Sequence, residues 1–440
     1  MTYRILRICA AYPYINSFEE AYRQKKGHLL TYGEVLQSFQ QEGLVIPGGW
    51  AKCMKELQWQ AEDIIPDFTI LQWHWAKEQG IALTPQEPFF SEQIFLKQVE
   101  HFKPDVIFFE RGGILTISQA LRRTLKDRFP FLCAVVGLWG DDLQVGWEWH
   151  GFNDLDILFG TYTSRVECIR QAGISSDLMP LCFDHNLACK MIAKQEKPIF
   201  DFVFAGTSGY RFDDHQERYE MLCALMQATP LHLWCSEKRF ERDSKWVESV
   251  LAFLHFIGKR MDESTLQRID KWISKSEKLS CTINHMIRIK KGLAPKDPLY
   301  WRKNKPLGNL FPSRVTPALF GTRYYQLLGQ SKIVFNRHRD DKSEFGNIRM
   351  FEVTGMGSCL LTDRGWESRG LFELDQEIVA YSSVEECIEK ANYLLENEPV
   401  RSRIAHAGHI RTLKEHTVFH RCEQLAHALT NYLKGNHVCF

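Results

Sequence analysis

The chain has 440 residues, too many for one ordinary hydrophobic core and suited to two or three domains. With 55 Lys and Arg against 54 Asp and Glu, the net charge of +1 offers no general attraction to nucleic acid or an anionic surface, and 44% hydrophobic residues exclude a disordered chain. The 13 cysteines contain no Cys-x-x-Cys pair and their odd number argues against a disulfide framework, so reduced thiols and no zinc are expected. The N-terminus lacks a signal-peptide pattern and no apolar run reaches the ~18–20 residues of a membrane span, which gives a cytoplasmic expectation.

Taken in order, Ile5 to Ala10 reads as a strand, and Phe18 to Trp75 as helices rich in Trp and Gln. Pro104-Asp-Val-Ile-Phe-Phe-Glu is a buried strand that ends in a polar, glycine-containing loop, followed by a helix from Ile114 to Phe129. Strands at Phe131 to Leu138 and Asp154 to Phe159 and a helix at Thr161 to Gly173 continue the alternation. Such alternation predicts parallel sheets with helices on both faces. Asp201-Phe-Val-Phe-Ala-Gly-Thr-Ser-Gly restarts the pattern, so a domain boundary is placed near residue 195, within a linker from Lys190 to Lys197. A helix from Asp214 to Thr229 and a strand from Leu231 to Cys235 follow.

Residues 237–310 depart from this pattern and read as a helical, basic insertion. Its later part, 288–314, interleaves Arg288, Lys290, Lys291, Lys296, Arg302, Lys303, Lys305 and Arg314 with Tyr300 and Trp301. Against a neutral chain this stretch suits a solvated insertion or peripheral contact with an acidic membrane or lipid-linked acceptor, and no nucleic-acid partner is expected.

From Ser331 to Asp363 the sequence reads as one β-α-β unit: a strand at Ile333 to Phe335, a polar loop, a helix from Ile348 that stops at Gly355 and Gly357, and a strand from Cys359. Ligands of open α/β sheets bind outside the carboxyl ends of strands and at helix starts, where unpaired N–H groups and the dipole favour anions. Asn336, Arg337 and Arg349 are therefore candidate phosphate or pyrophosphate contacts, and Glu352, one turn after Arg349, could accept from the hydroxyls of a ribose or sugar. The strand-end glycine loop Gly206, Thr207 and Ser208 would let backbone approach the phosphates. Strands and helices continue at Glu377 to Tyr381, Val384 to Asn397, Pro399 to His409 and His420 to Lys434.

Phe-Asn-Arg-His at 335–338, Arg-Met-Phe-Glu-Val-Thr-Gly-Met-Gly-Ser-Cys-Leu-Leu-Thr-Asp at 349–363, Leu-Phe at 371–372, Glu-Ile-Val-Ala-Tyr at 377–381 and His-Thr-x-x-x-Arg at 416–421 form an ordered set. The set resembles the nucleotide-binding half of GT-B glycosyltransferases, nearest to the spore-maturation (CgeB-like) and family 1-type groups, over about Val315 to Arg421. That resemblance implies an α/β GT-B fold with two Rossmann-like domains facing across a cleft. Residues 1–195 would hold the acceptor, 196–420 the nucleotide-diphosphate sugar donor, and 421–440 a terminal helix returning to the first domain. Gly355 and Gly357 join the donor-binding set.

The expected reaction is metal-independent transfer of a sugar to an acceptor hydroxyl, with basic side chains and helix starts managing the diphosphate and with no cofactor. The acceptor is not readable. Glu344 and Glu352 have the spacing found in retaining GT-B enzymes, where the earlier glutamate meets the donor sugar. An inverting enzyme would need a base from a first-domain loop, for which Glu110 leads, followed by Asp141 and Asp142, then His150. His416 is read as structural or interdomain. A nucleotide-sugar epimerase and a non-catalytic GT-B scaffold are the alternatives.

Overall fold

The computed structural model describes residues 2–11, 31–43, 48–83, 85–87, 89–110, 112–140, 149–192, 198–210, 216–235, 260–262, 264–266, 268–269, 305–338, 346–365 and 370–435. Two parallel sheets organise them. The first contains β1 (Arg4–Ile8), β2 (Gln60–Ile64), β3 (Val106–Phe109), β4 (Ala134–Trp139) and β5 (Ile157–Gly160), in the order β2-β1-β3-β4-β5. The second contains β6 (Phe200–Gly206), β7 (Leu231–Cys235), β8 (Val315–Thr316), β9 (Ser331–Asn336), β10 (Cys359–Asp363) and β11 (Val379–Tyr381), ordered β11-β10-β9-β6-β7-β8. The expected α/β class with two Rossmann-like sheets is borne out.

Every residue of β3, β4 and β5 is buried, as a parallel strand covered on both faces requires. The edge strand β2 differs: Gln60-Ala-Glu-Asp-Ile alternates exposed and buried and was read as part of a helical region. It pairs with β1 in register Arg4 to Gln60. The single helix expected from Ile114 to Phe129 is broken into a 3-10 turn at Gly113–Leu115 and short helices at Gln119–Arg122 and Leu125–Arg128. Buried Arg122 takes the carbonyls of Ile114 at 2.9 Å and Ile117 at 3.0 Å, which diverts them from a continuous helical ladder.

The chain crosses between sheets twice, and the two crossings lie side by side. Phe183 donates its N–H to the His416 carbonyl at 2.8 Å, and Val418 donates to the Phe183 carbonyl at 3.0 Å. Beyond this bridge the helix Val418–Leu433 buries Val418, Cys422, Leu425 and Leu429, one helical stripe, against Ile5, Trp50, Val106 and Phe108 of the first core. Tyr432 adds a hydrogen bond to Asp156 at 2.9 Å. On the outward crossing, Leu181, Phe183 and Ala188 already pack in the second core, well before the boundary placed near residue 195. The rest of the expected linker, 193–197, lies outside the described residues.

The His-Thr-x-x-x-Arg sequence fastens this crossing. Arg421 donates to the Pro180 carbonyl at 2.7 Å and to His416 Nδ1 at 3.1 Å, so the ring proton of His416 is on Nε2, where it reaches the Leu371 carbonyl at 2.9 Å. Burial, aided by the neighbouring Arg421 and Arg411 charges, pushes the His416 pKa down to about 4.

Against an ordinary histidine value of about 6.5, the unfolded chain takes up the His416 proton first. This contribution to stability is whole above about pH 6.5 and is lost as pH falls towards 4. Urea midpoints measured across that window should fall more steeply for the wild type than for His416→Gln. Equal slopes would remove His416 from the pH dependence.

Candidate functional site

In the second sheet the chain runs outward from β6 to β7 and β8 and then returns to the other side of β6 for β9, β10 and β11. The order reverses between β6 and β9, and the crevice outside their carboxyl ends is the expected ligand position. β6 ends at Gly206 and β9 at Asn336.

Arg349, in the first turn of the helix Ile348–Gly355, lies across that crevice. Its Nη1 is 3.4 Å from Asn336 Oδ1 and its guanidinium carbon 5.3 Å from the Phe204 ring centroid. A Cβ at Gly206 would sit 2.7 Å from Arg349 Nη2, so the glycine admits the guanidinium to the β6 end. Arg349 Nε is buried with no hydrogen-bond partner among the described residues.

Asn336 is fully buried. Its amide donates to Thr362 Oγ1 at 3.0 Å and exchanges hydrogen bonds with Asn347 at 3.1 and 3.2 Å, while Tyr381 donates to its carbonyl at 3.2 Å. Asn336 is thus tied to Arg349, to the Asn347 N-cap and to β10. Arg337 pairs with Glu217 and lies 3.5 Å from Met221 Sδ, both on the helix Gln216–Ala228. Thr207 and Ser208 spend their hydroxyls within the protein, accepting from Arg218 at 3.1 Å and from the Tyr210 N–H at 3.3 Å.

Arg218 escaped sequence reading because it sits on an ordinary-looking helix. Nine-tenths buried, it joins Thr207 after β6 to the Arg337 carbonyl after β9 at 2.9 Å, clipping together the loops that flank the crevice. His338 performs a similar task. Its backbone N–H and Nδ1–H both reach Asp363, at 3.0 and 2.8 Å, leaving Nε2 to accept from the Gly346 and Asn347 N–H groups at 3.3 and 3.4 Å. Burial raises the Asp363 carboxyl, but the His338 hydrogen bonds outweigh it and hold the pKa below its usual value.

Glu352 is only 3% exposed and follows Arg349 by one turn. Tyr324 donates to Oε2 at 2.8 Å and Tyr325 to Oε1 at 3.2 Å. Burial raises the Glu352 pKa against the opposing effects of these phenols and of Arg349. Gly355 and Gly357 have other duties: a Cβ at Gly355 would lie 2.4 Å from the Phe183 ring, and Gly357, at φ +79°, makes the turn that ends the helix.

In the first sheet the order reverses between β1 and β3. Glu110, just past β3, places Oε2 3.6 Å from Arg7 Nη1, with its side chain 16% exposed. Fully buried Arg7 also bonds Asp63 Oδ1 at 2.8 Å. Burial lowers the Arg7 pKa, but the Asp63, Cys9 and Glu110 charges and the Asp63 hydrogen bond together more than compensate, so the guanidinium stays ionised beside Glu110. Gly113 passes so near β1 that a Cβ would overlap the Ile8 carbonyl. The two sheets' carboxyl ends approach each other where Tyr162, past β5, lies 3.7 Å from the Cβ position of Gly346.

Asp141, Asp142 and Glu344 lie outside the described residues, as do the His150 side chain and most of the basic insertion. Arg314, which belongs to that basic stretch, is used internally, donating to the Thr229 carbonyl at 2.9 Å and to that of Met226 beside the end of the Gln216–Ala228 helix. Among the described residues no cluster of His, Cys, Asp or Glu suits a metal ion, and no helix is long and apolar enough to cross a membrane.

Replacing Arg218 by Ala should cost about 1–3 kcal/mol, the range for stranding buried acceptors. Hydrogen exchange should quicken at the amides flanking Thr207 and Arg337; unchanged exchange there would show that the two loops hold without the clip.

A family model described as "Glycosyl transferase-like" matches residues 279–427, a span that includes Asn336, Arg349 and Glu352. No curated protein sequence matches. Among solved structures, Anabaena Alr3699/HepE in complex with UDP and glucose is similar at TM-score 0.53 and 12% identity, covering 98% of this chain and 100% of that one. The same protein in complex with UDP-glucose aligns at TM-score 0.51 and 12% identity, with the same coverage. Sucrose-phosphate synthase from Thermosynechococcus elongatus aligns at TM-score 0.51 and 9% identity, again over 98% and 100% of the two chains. Two parallel sheets, a double crossing at Phe183 and a last helix returned to the first core give this chain the GT-B glycosyltransferase fold.

Proposed function

We propose that the protein transfers a sugar from a nucleoside-diphosphate sugar to an acceptor hydroxyl, without a metal. The observation that carries this reading is Arg349, laid over the Gly206 end of β6 at the point where the strand order reverses. A guanidinium there, beside a helix start, meets the negative charge that grows on the leaving diphosphate as the glycosidic bond breaks. Glu352 lies one turn deeper and accepts hydroxyls of the nucleotide's ribose, while Glu344 remains our choice for the face of the donor sugar. UDP and UDP-glucose in the Anabaena complexes make uridine diphosphate the first nucleotide to test.

Glu110 is our choice for the group that takes the acceptor's proton if the reaction inverts. It stands at the other sheet's reversal point, and Arg7 beside it favours the ionised carboxylate that a base must be. The positive charge of Arg349 is our reason for leaving a metal out of the scheme.

Calorimetry with nucleoside diphosphates in excess chelator tests the donor site. The wild type should bind at least one of them, and Arg349→Ala should weaken that binding by about 10- to 100-fold, the worth of a charge-assisted hydrogen bond. Glu352→Ala should weaken it as well. A folded wild type that binds no nucleotide would leave the fold without this function, and affinity restored only by a divalent cation would overturn the metal-free scheme.

A further inference from the structure

The two phenols on Glu352 are not equivalent. Tyr325 is 1% exposed, and its ring packs 6.2 Å from that of Phe183 at the double crossing, so its hydrogen bond to Oε1 is fixed by the core. Tyr324 is half-buried and lies in the first turn of the helix Gly321–Gly329, whose start meets the first domain where Thr322 donates to the Glu42 carbonyl at 3.0 Å. Its hydroxyl, 2.8 Å from Oε2, is also acted on by Arg349. One oxygen of the carboxylate therefore has its donor on a ring enclosed in the core, and the other has its donor on a half-buried ring that packs edge-on to Tyr325 at 5.6 Å.

A buried carboxylate oxygen left without a donor is costly, so an empty site needs something on Oε2. A ligand hydroxyl could occupy the same position at little net cost only by exchanging one hydrogen bond for another. We infer that the Tyr324 hydroxyl stands in for a hydroxyl of the nucleotide's ribose on Glu352 Oε2 and is displaced when the nucleotide binds. The inference rests on the donor-site reading above and adds a selection rule. A nucleotide lacking the ribose 2′-hydroxyl displaces Tyr324 without fully replacing it, so the exchange favours ribonucleotides over deoxyribonucleotides.

The test uses the uridine, guanosine, cytidine and adenosine diphosphates, each beside its 2′-deoxy form, against the wild type and Tyr324→Phe. Removing the competing hydroxyl leaves the bound state as it was and the empty site one donor short. The variant should therefore bind its ribonucleotide about two- to tenfold more tightly, the worth of one hydrogen bond. The wild type should prefer the ribo form over the deoxy form. Its tyrosine ultraviolet absorption should also change on binding as a phenol leaves the carboxylate, a readout independent of the variant's folding, and that change should vanish in Tyr324→Phe. Unchanged or weakened affinity in a folded Tyr324→Phe, or a wild type blind to the 2′-hydroxyl, would overturn the displacement while leaving the donor site standing. No nucleotide binding by the wild type would overturn both.

Discussion

Phe183 is the residue through which the two halves of the molecule are set against each other. Its backbone pairs with both sides of the returning segment, at His416 and Val418, and its buried ring fills the space that Gly355 leaves by having no side chain. The helix that ends on that ring carries Arg349 and Glu352, and Tyr325 packs on the same ring from the neighbouring helix. The position of the crevice relative to the first sheet is thus transmitted through an apolar contact too close to tolerate one added carbon.

Around this contact the loops of the crevice are shaped by polar groups with almost no exposure. Asn336, His338 and Arg218 each join segments distant in sequence, and each uses its donors and acceptors on backbone or on another buried side chain. In a low-dielectric interior such groups are costly unless satisfied, so they restrict the loops to one arrangement more strictly than apolar packing would. Arg349 differs in its place, with its guanidinium laid against the Gly206 end of β6 and 3.4 Å from Asn336 Oδ1.

Much of this was legible from the sequence where local chemistry and fold agree. The unit from Ser331 to Asp363 was readable almost to the residue, because an apolar strand, a helical spacing and two closing glycines each have a short-range cause. β2 was not, since an edge strand has no continuous apolar run to betray it. The roles of individual residues were less visible than their neighbourhood. Asn336 and Gly355 lie in the right motif but serve it from inside, while Arg218 and Tyr324 matter through contacts across 119 and 28 positions of sequence, which no local pattern encodes.

The return of the Val418–Leu433 helix to the first core has a consequence for how the chain acquires its structure. Val418, Cys422, Leu425 and Leu429 complete a face of the sheet whose first strand begins at Arg4, so the cover of that face is finished by residues some four hundred positions later in the chain. Domains usually fold in order as they leave the ribosome. Here Trp50, Met54 and Trp59 can cover part of that face early, and the packing of the first sheet is completed only after the second sheet has been made.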